Sequence, residues 1–146
     1  ISLVRAPDAG CCGAVAFHLN YQEDGRDHMR RNIAAWTKLL DDGAEAVVMT
    51  ASGCGSTVKE YAHHLAHDAA WTAKAQRVSD ATLDLSEILA DETAALVPLL
   101  EAAAKSKARR KLAYHSPCSL QHGQQIRGKA EALLTAAGFD LTPVAD

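Results

Sequence analysis

Two adjacent cysteines bracketed by glycines, Gly10-Cys11-Cys12-Gly13, restrict this chain more than any other feature of its 146 residues. Neighbouring Cα atoms lie ~3.8 Å apart, short of the ~4.4–6.8 Å that an unstrained disulfide spans. The pair is therefore poorly suited to bonding with itself, and both thiols must be housed side by side. Cys54 and Cys118 complete the set of four. Separate disulfides from the pair to Cys54 and Cys118 are geometrically open. Nothing else in the sequence suggests a secreted, disulfide-stapled mini-domain, so a reducing cytoplasm is the expected compartment.

The chain is long enough for one ordinary core and little more. Hydrophobic residues make up 48% of it, but 29 of them are alanine and aromatics reach only 5%. That balance predicts many small helix–helix and helix–sheet contacts. A net charge of −3 is too mild for a nucleic-acid partner. No apolar run approaches the ~20 residues that cross a bilayer. The start, Ile1-Ser2-Leu3-Val4-Arg5, has no signal-peptide pattern and no initiator methionine, and reads as cut from something longer.

Residues 1–10 read as a loop or broken edge, followed by a short helix from Ala14 to Leu19. Asn20 and Glu23 have capping spacing for the next helix. Met29, Ile33, Trp36 and Leu40 recur at helical period and predict a helix over about 26–42, stopped by Gly43. Residues 44–50 suit a buried strand. It leads into a glycine-rich loop, 51–55, and a helix from Thr57 to about His67. Residues 69–78 and 81–104 also read as helical, with Pro98 kinking or dividing the second. The basic run 105–111 reads as a solvated linker or helix end. Leu112 to His115 predicts a second strand, and Ser116-Pro117 opens a helix bearing Ile126, Ala130, Leu133 and Leu134. Gly138 ends that helix, and 139–144 predicts a third strand. This alternation points to an α/β fold, a parallel sheet flanked by helices.

All four cysteines fall just before, or within the first turn of, a predicted helix, and Cys54 and Cys118 also follow predicted strands. Backbone N–H groups and the helix dipole favour a thiolate there, and thiolate is the form that binds metal. Glycines 10, 13, 53 and 55 would let the backbone approach a bulky group or donate to its sulfurs. The competing reading is four small buried residues beside turn glycines. His115 and His122 flank Cys118 as candidate substitute ligands, although a helix-start or surface role is favoured. His63, His64 and His67 contain an i, i+4 pair that reads as a solvated face. Phe17 and His18 read as packing residues. There is no phosphate loop, nucleophile elbow or dinucleotide fingerprint, and no catalytic residue is expected.

The stretch Gly-Cys-Cys-Gly-Ala-Val-Ala-Phe-His-Leu-Asn (10–20) resembles the CCG motif of the cysteine-rich domain family. That family includes the B subunit of heterodisulfide reductase, lactate-utilisation iron–sulfur proteins and the iron–sulfur subunit of glycolate oxidase. The segments Thr-Ala-Ser-Gly-Cys-Gly (50–55), Val-Lys-Glu-Tyr (58–61) and Tyr-His-Ser-Pro-Cys-Ser-Leu-Gln-His (114–122) resemble the glycolate oxidase branch. The family pattern is two copies of an upstream Cys, a Cys-Cys-Gly and a later Cys-x-x-Cys. The resemblance implies that Cys11 and Cys12 are the first copy's double cysteine and Cys54 the second cysteine of its last element. Ala51 stands where the first cysteine of that element belongs. Cys118 matches the upstream cysteine of the second copy. The remaining ligands would lie before Ile1 and after Asp146.

The resemblance thus implies the end of one CCG module (1–104), a basic linker (105–111) and the start of a second module (112–146). Cys11, Cys12, Cys54 and Cys118 are the implied cofactor-binding and metal-binding residues. With Ala51 in place of a thiolate, an ordinary 4Fe-4S cluster or another metal centre in the intact subunit is expected, rather than a five-cysteine arrangement. This chain alone is expected to hold no intact cluster, though its thiols could collect zinc. The implied function is electron transfer from a flavin-containing subunit that oxidises glycolate towards the quinone pool. The chain itself is expected to have no turnover, and to lie in the cytoplasm or peripherally at the inner face of the membrane. Self-association through uncovered surface is a further expectation. The alternatives are a structural zinc or protein-interaction module, a lactate-utilisation iron–sulfur protein, and thiol redox at Cys11 and Cys12.

Overall fold

In the computed structural model, which describes residues 1–105, 110–142 and 144, the double cysteine runs into a short helix. This helix, α1 (Ala14–His18), turns back onto the long helix α2 (Gln22–Asp41). Met29, Ile33 and Leu40 are buried and Trp36 packs against the same core, because their spacing puts them on one helical face. The α1–α2 junction differs from the cap expected of Asn20 and Glu23. Asn20 is left-handed, with φ 69°. Its amide donates to the Phe17 carbonyl at 3.2 Å, and the Tyr21 amide donates to Ala16 at 3.0 Å. Asn20 therefore closes α1, a position that asparagine tolerates, and does not open α2. Gly43, with φ 99°, ends α2 in the same way, as expected.

β1 (Val47–Met49) is shorter than the run expected to form it. The glycine-rich segment after it is not a loop: it is the opening of α3 (Ser52–Lys59). The Gly55 amide donates to the Ala51 carbonyl at 2.9 Å, so the helical ladder already runs through the glycines. Thr57 does not cap; its hydroxyl donates back to the Gly53 carbonyl at 3.2 Å. A break at Glu60 separates α3 from α4 (Tyr61–His64), and α5 (Thr72–Asp80) follows.

The expected helix over 81–104 hides a strand, β2 (Thr82–Asp84), which pairs with β1. Asp84 then caps α6 (Leu85–Asp91). Its carboxylate accepts from the Ser86 amide at 2.9 Å, while the Glu87 carboxylate accepts from the Asp84 amide at 2.9 Å. That Asp-x-x-Glu capping box is the signal that separates strand from helix here. α7 (Thr93–Lys105) continues through Pro98, and the division from α6 falls at Glu92.

β3 (Arg110–Ala113) and β4 (Phe139–Thr142) pair in parallel, with Arg110 opposite Phe139 and Ala113 opposite Thr142. The helix expected after Ser116-Pro117 is divided. A π-helical turn, Ser119–Gly123, is followed by α8 (Lys129–Ala136), opened by Gly128 at φ 74°. Gly138, at φ 84°, ends α8 as expected. The architecture is α/β, with its strands in two separate pairs. Residues 106–109 of the basic run lie outside the described residues, as does Pro143 in the expected third strand.

The chain divides into two compact units, Ile1–Leu83 and Asp84–Asp146. The first holds a continuous core of Cys12, Met29, Ile33, Leu40, Val47, Val58, Tyr61, Leu65, Ala75 and Val78. Arg30 reaches from α2 to Asp68 at 3.0 Å as well as to Glu23 and Asp27, pinning the segment before α5. Among the described residues of the second unit the buried apolar side chains are Leu120 and Ile126, and α8 has no buried residue.

Candidate thiol site

Gly10, Cys11 and Cys12 form no regular structure, so their backbone groups need other partners. Two side chains supply them, and both are fully buried: Asn32 from α2 and Tyr61 at the start of α4. The Gly10 amide donates to Asn32 Oδ1 at 2.8 Å. Asn32 Nδ2 donates to the Cys11 carbonyl at 2.9 Å and to the Tyr61 hydroxyl at 3.1 Å. The Tyr61 hydroxyl donates to the Cys12 carbonyl at 2.8 Å. Three successive backbone residues are thus clamped from inside the core.

The glycines that bracket the pair are needed for space. A Cβ on Gly13, which has φ 88°, would stand 2.5 Å from the Gly25 carbonyl oxygen on α2. One on Gly10 would meet the Arg31 guanidinium at 2.6 Å. Gly25 in turn lets α1 approach, since a Cβ there would meet that of Phe17 at 2.9 Å. Gly53 is different: a Cβ there meets nothing within 4 Å, so close backbone approach does not explain this glycine.

Cys11 is exposed, Cys54 is half-buried, and Cys12 is only 6% exposed. Cys54 packs against the core that contains Cys12, near enough for the two thiols to act on each other, and the Ala14 amide reaches Cys12. Burial pushes the Cys12 thiol up to about 11, the Ala14 amide opposes this, and Cys54 and Cys11 add to it. Burial also raises the Tyr61 phenol, with Asn32 opposing. Without a bound cation, Cys12 is therefore a neutral thiol at pH 7, and a metal would have to displace its proton.

The donors are soft thiols, of the kind that iron–sulfur groups and zinc take. Cys12 and Cys54 fit such a group in kind, and would supply two of its ligands. Among the described residues, no three His, Cys, Asp or Glu side chains stand together closely enough to hold a metal ion. Ala51 is an exposed residue in extended conformation just ahead of α3, where the family pattern has a further cysteine. Cys118 belongs to the second unit, exposed at the head of the π-helical turn.

The expected histidine face is altered. α4 ends at His64, so His63 and His67 do not share a helix. His64 is half-buried against the Phe17 ring, with centroids 4.4 Å apart, and burial lowers its pKa. Phe17 is indeed a packing residue, whereas His18, expected to pack with it, is exposed. Asn32 and Tyr61 were missed as site residues. Asn32 carried a signal, since a polar side chain three residues from Met29 and beside Ile33 falls on the apolar stripe of α2. Tyr61 carried none beyond its place in the Val-Lys-Glu-Tyr segment.

Residues 1–59 match the cysteine-rich domain designated CCG. Over all 146 residues the chain is 47% identical to the glycolate oxidase iron-sulfur subunit of Escherichia coli, covering 34% of that protein. It is 29% identical over 138 residues to lactate utilization protein A of Bacillus licheniformis, covering 92% of this chain and 52% of that one. It is 33% identical over 89 residues to a probable glycolate oxidase iron-sulfur subunit of Bacillus subtilis, covering 61% of this chain and 19% of that one. The chain thus spans between about a fifth and a half of these relatives. No solved structure matches it. The double cysteine, Asn32 and Cys54 therefore fall within the stretch that matches the cysteine-rich CCG domain, with Tyr61 just beyond it, in a chain similar along its whole length to a glycolate oxidase iron-sulfur subunit.

Proposed function

We propose that this chain is part of an iron–sulfur electron-transfer subunit of a glycolate-oxidising complex. The observation that carries the reading is the packing of Cys54 against the core that contains Cys12, within a matched cysteine-rich domain. Two soft donors from segments more than forty residues apart converge at the heads of α1 and α3. A 4Fe-4S group, when bound, supplies one-electron capacity between a two-electron flavin donor and a quinone acceptor. The chain's own part is to hold the thiols, with Cys12 and in part Cys54 shielded from bulk water and Cys11 at the surface. Cys11, Cys12 and Cys54 serve the first module, 1–104. Cys118 serves a second module, whose strand β3 begins at Arg110 and so takes in the end of the basic run expected to be a linker.

Flavin-containing subunits of the same complex are the proposed partners, with the quinone pool reached indirectly. Among the described residues no helix is long and apolar enough to cross a membrane. A cytoplasmic or peripheral inner-face location suits a relay of this kind. The test is metal and sulfide analysis of the natural protein carrying this sequence, purified without air. Iron accompanied by acid-labile sulfide, and lost on replacing Cys12 and Cys54 by serine, is the expected result. Zinc alone, or iron indifferent to both replacements, would overturn the proposal.

A further inference from the structure

We infer that Asn32 and Tyr61 are positioning residues that set the orientation of the two adjacent thiols. In a Cys-Cys pair the side-chain directions depend on the backbone torsions of two consecutive residues, and nothing in regular secondary structure holds those torsions here. The clamp does. It grips the amide of Gly10 and the carbonyls of Cys11 and Cys12 through bonds of 2.8, 2.9 and 2.8 Å. Arg31 adds a longer contact to the Cys11 carbonyl at 3.4 Å. The link between the gripping side chains, 3.1 Å from Asn32 Nδ2 to the Tyr61 hydroxyl, couples α2 to α4, so the loop is referenced to two core elements.

The result is one thiol turned inward against Cys54 and one turned to solvent. Asn32 is suited to the task because its amide both donates and accepts, which no apolar side chain and no ionised carboxylate of that size can do. Both side chains are shielded from water, so each bond is costly to leave unmade. Tyr61 is also held by its ring, stacked on Trp36 with centroids 6.3 Å apart. Tyr61→Phe therefore keeps the packing and removes the grip on Cys12 together with the link to Asn32.

The first measurement follows alkylation of each cysteine by iodoacetamide in the metal-free full chain, read by mass spectrometry. Tyr61→Phe is expected to raise the Cys12 rate relative to Cys118 about fivefold to tenfold, as loss of one buried hydrogen bond shifts a local opening equilibrium. A thermal melt of the same variant checks that the fold persists, and Asn32→Asp, which keeps shape but not donation, should act in the same direction. An unchanged Cys12 to Cys118 ratio in both variants would overturn the inference. The second measurement, which rests on the iron–sulfur reading, is the midpoint potential and electron paramagnetic resonance spectrum of the iron-loaded natural protein. A shifted potential with unchanged iron content supports the role, and identical potential and spectrum overturn it. If the unsubstituted protein carries no iron and sulfide, the proposed function fails, while the alkylation result still decides the clamp.

Discussion

The two cysteine segments of the first unit look alike in sequence, Gly-Cys-Cys-Gly and Ser-Gly-Cys-Gly, and are built by different means. The Gly10–Gly13 segment is irregular backbone held by buried side chains from elsewhere in the core. The Ser52–Gly55 segment is a helix opening held by its own ladder, with Ser56 and Thr57 hydroxyls donating back to the Ser52 and Gly53 carbonyls at 3.1 and 3.2 Å. The first needs its glycines because neighbouring backbone is too close; Gly53 faces open space. A glycine beside a cysteine is therefore not one signal but two. Only the surroundings tell them apart.

The comparison breaks most severely at Asn32. Asn32→Leu leaves the Gly10 amide and the Cys11 carbonyl without their partner, a loss of about 3–5 kcal/mol, since several buried polar groups become unsatisfied together. Denaturant unfolding followed by tryptophan fluorescence measures it, and a loss under about 1 kcal/mol would mean that water satisfies the loop. Gly13→Ala comes next. A left-handed alanine and a clash with the Gly25 carbonyl together cost about 2–4 kcal/mol. A melting temperature equal to that of the parent would show that α1 moves away freely.

Alkaline pH separates the segments by a smaller amount. The unfolded Cys12 thiol ionises near 9.0, whereas the folded one stays neutral to about 11. The unfolded state thus loses its proton first. Stability of the metal-free chain is full below pH 9 and falls as pH rises through 11, by on the order of 2 kcal/mol from this thiol. Tyr61, raised by the same burial, extends the loss to higher pH. A pH series of unfolding midpoints checks this, and Cys12→Ser should flatten the decline. The smallest effect is of opposite sign. Gly53→Ala lies in a helix with room for a methyl group and should stabilise by about 0.5–1 kcal/mol. A destabilised Gly53→Ala variant would mean that both glycines serve close approach after all.

Much of the architecture was legible because it rests on local pattern. The Met29, Ile33, Trp36 and Leu40 stripe and the stop at Gly43 follow from helical period and left-handed geometry. The strand at Val47–Met49 and the stop at Gly138 follow from similar local cues, whereas β3 begins at Arg110, two residues ahead of the expected Leu112 and inside the run read as a linker. Misplaced boundaries have physical causes too. A glycine-rich stretch was helical because its first carbonyl-to-amide bond formed, and β2 was hidden in an alanine-rich and leucine-rich run whose Asp84–Glu87 box was overlooked.

By itself the sequence determined that four thiols sit at the heads of helices, and that two of them are inseparable neighbours with a family resemblance. Tertiary structure decided which thiols meet. Cys12 turns inward to Cys54 while Cys11 faces solvent, because Asn32 and Tyr61, twenty-nine residues apart, converge on one loop. Such convergence depends on long-range packing of α2 against α4 and their neighbours, and no local propensity encodes it.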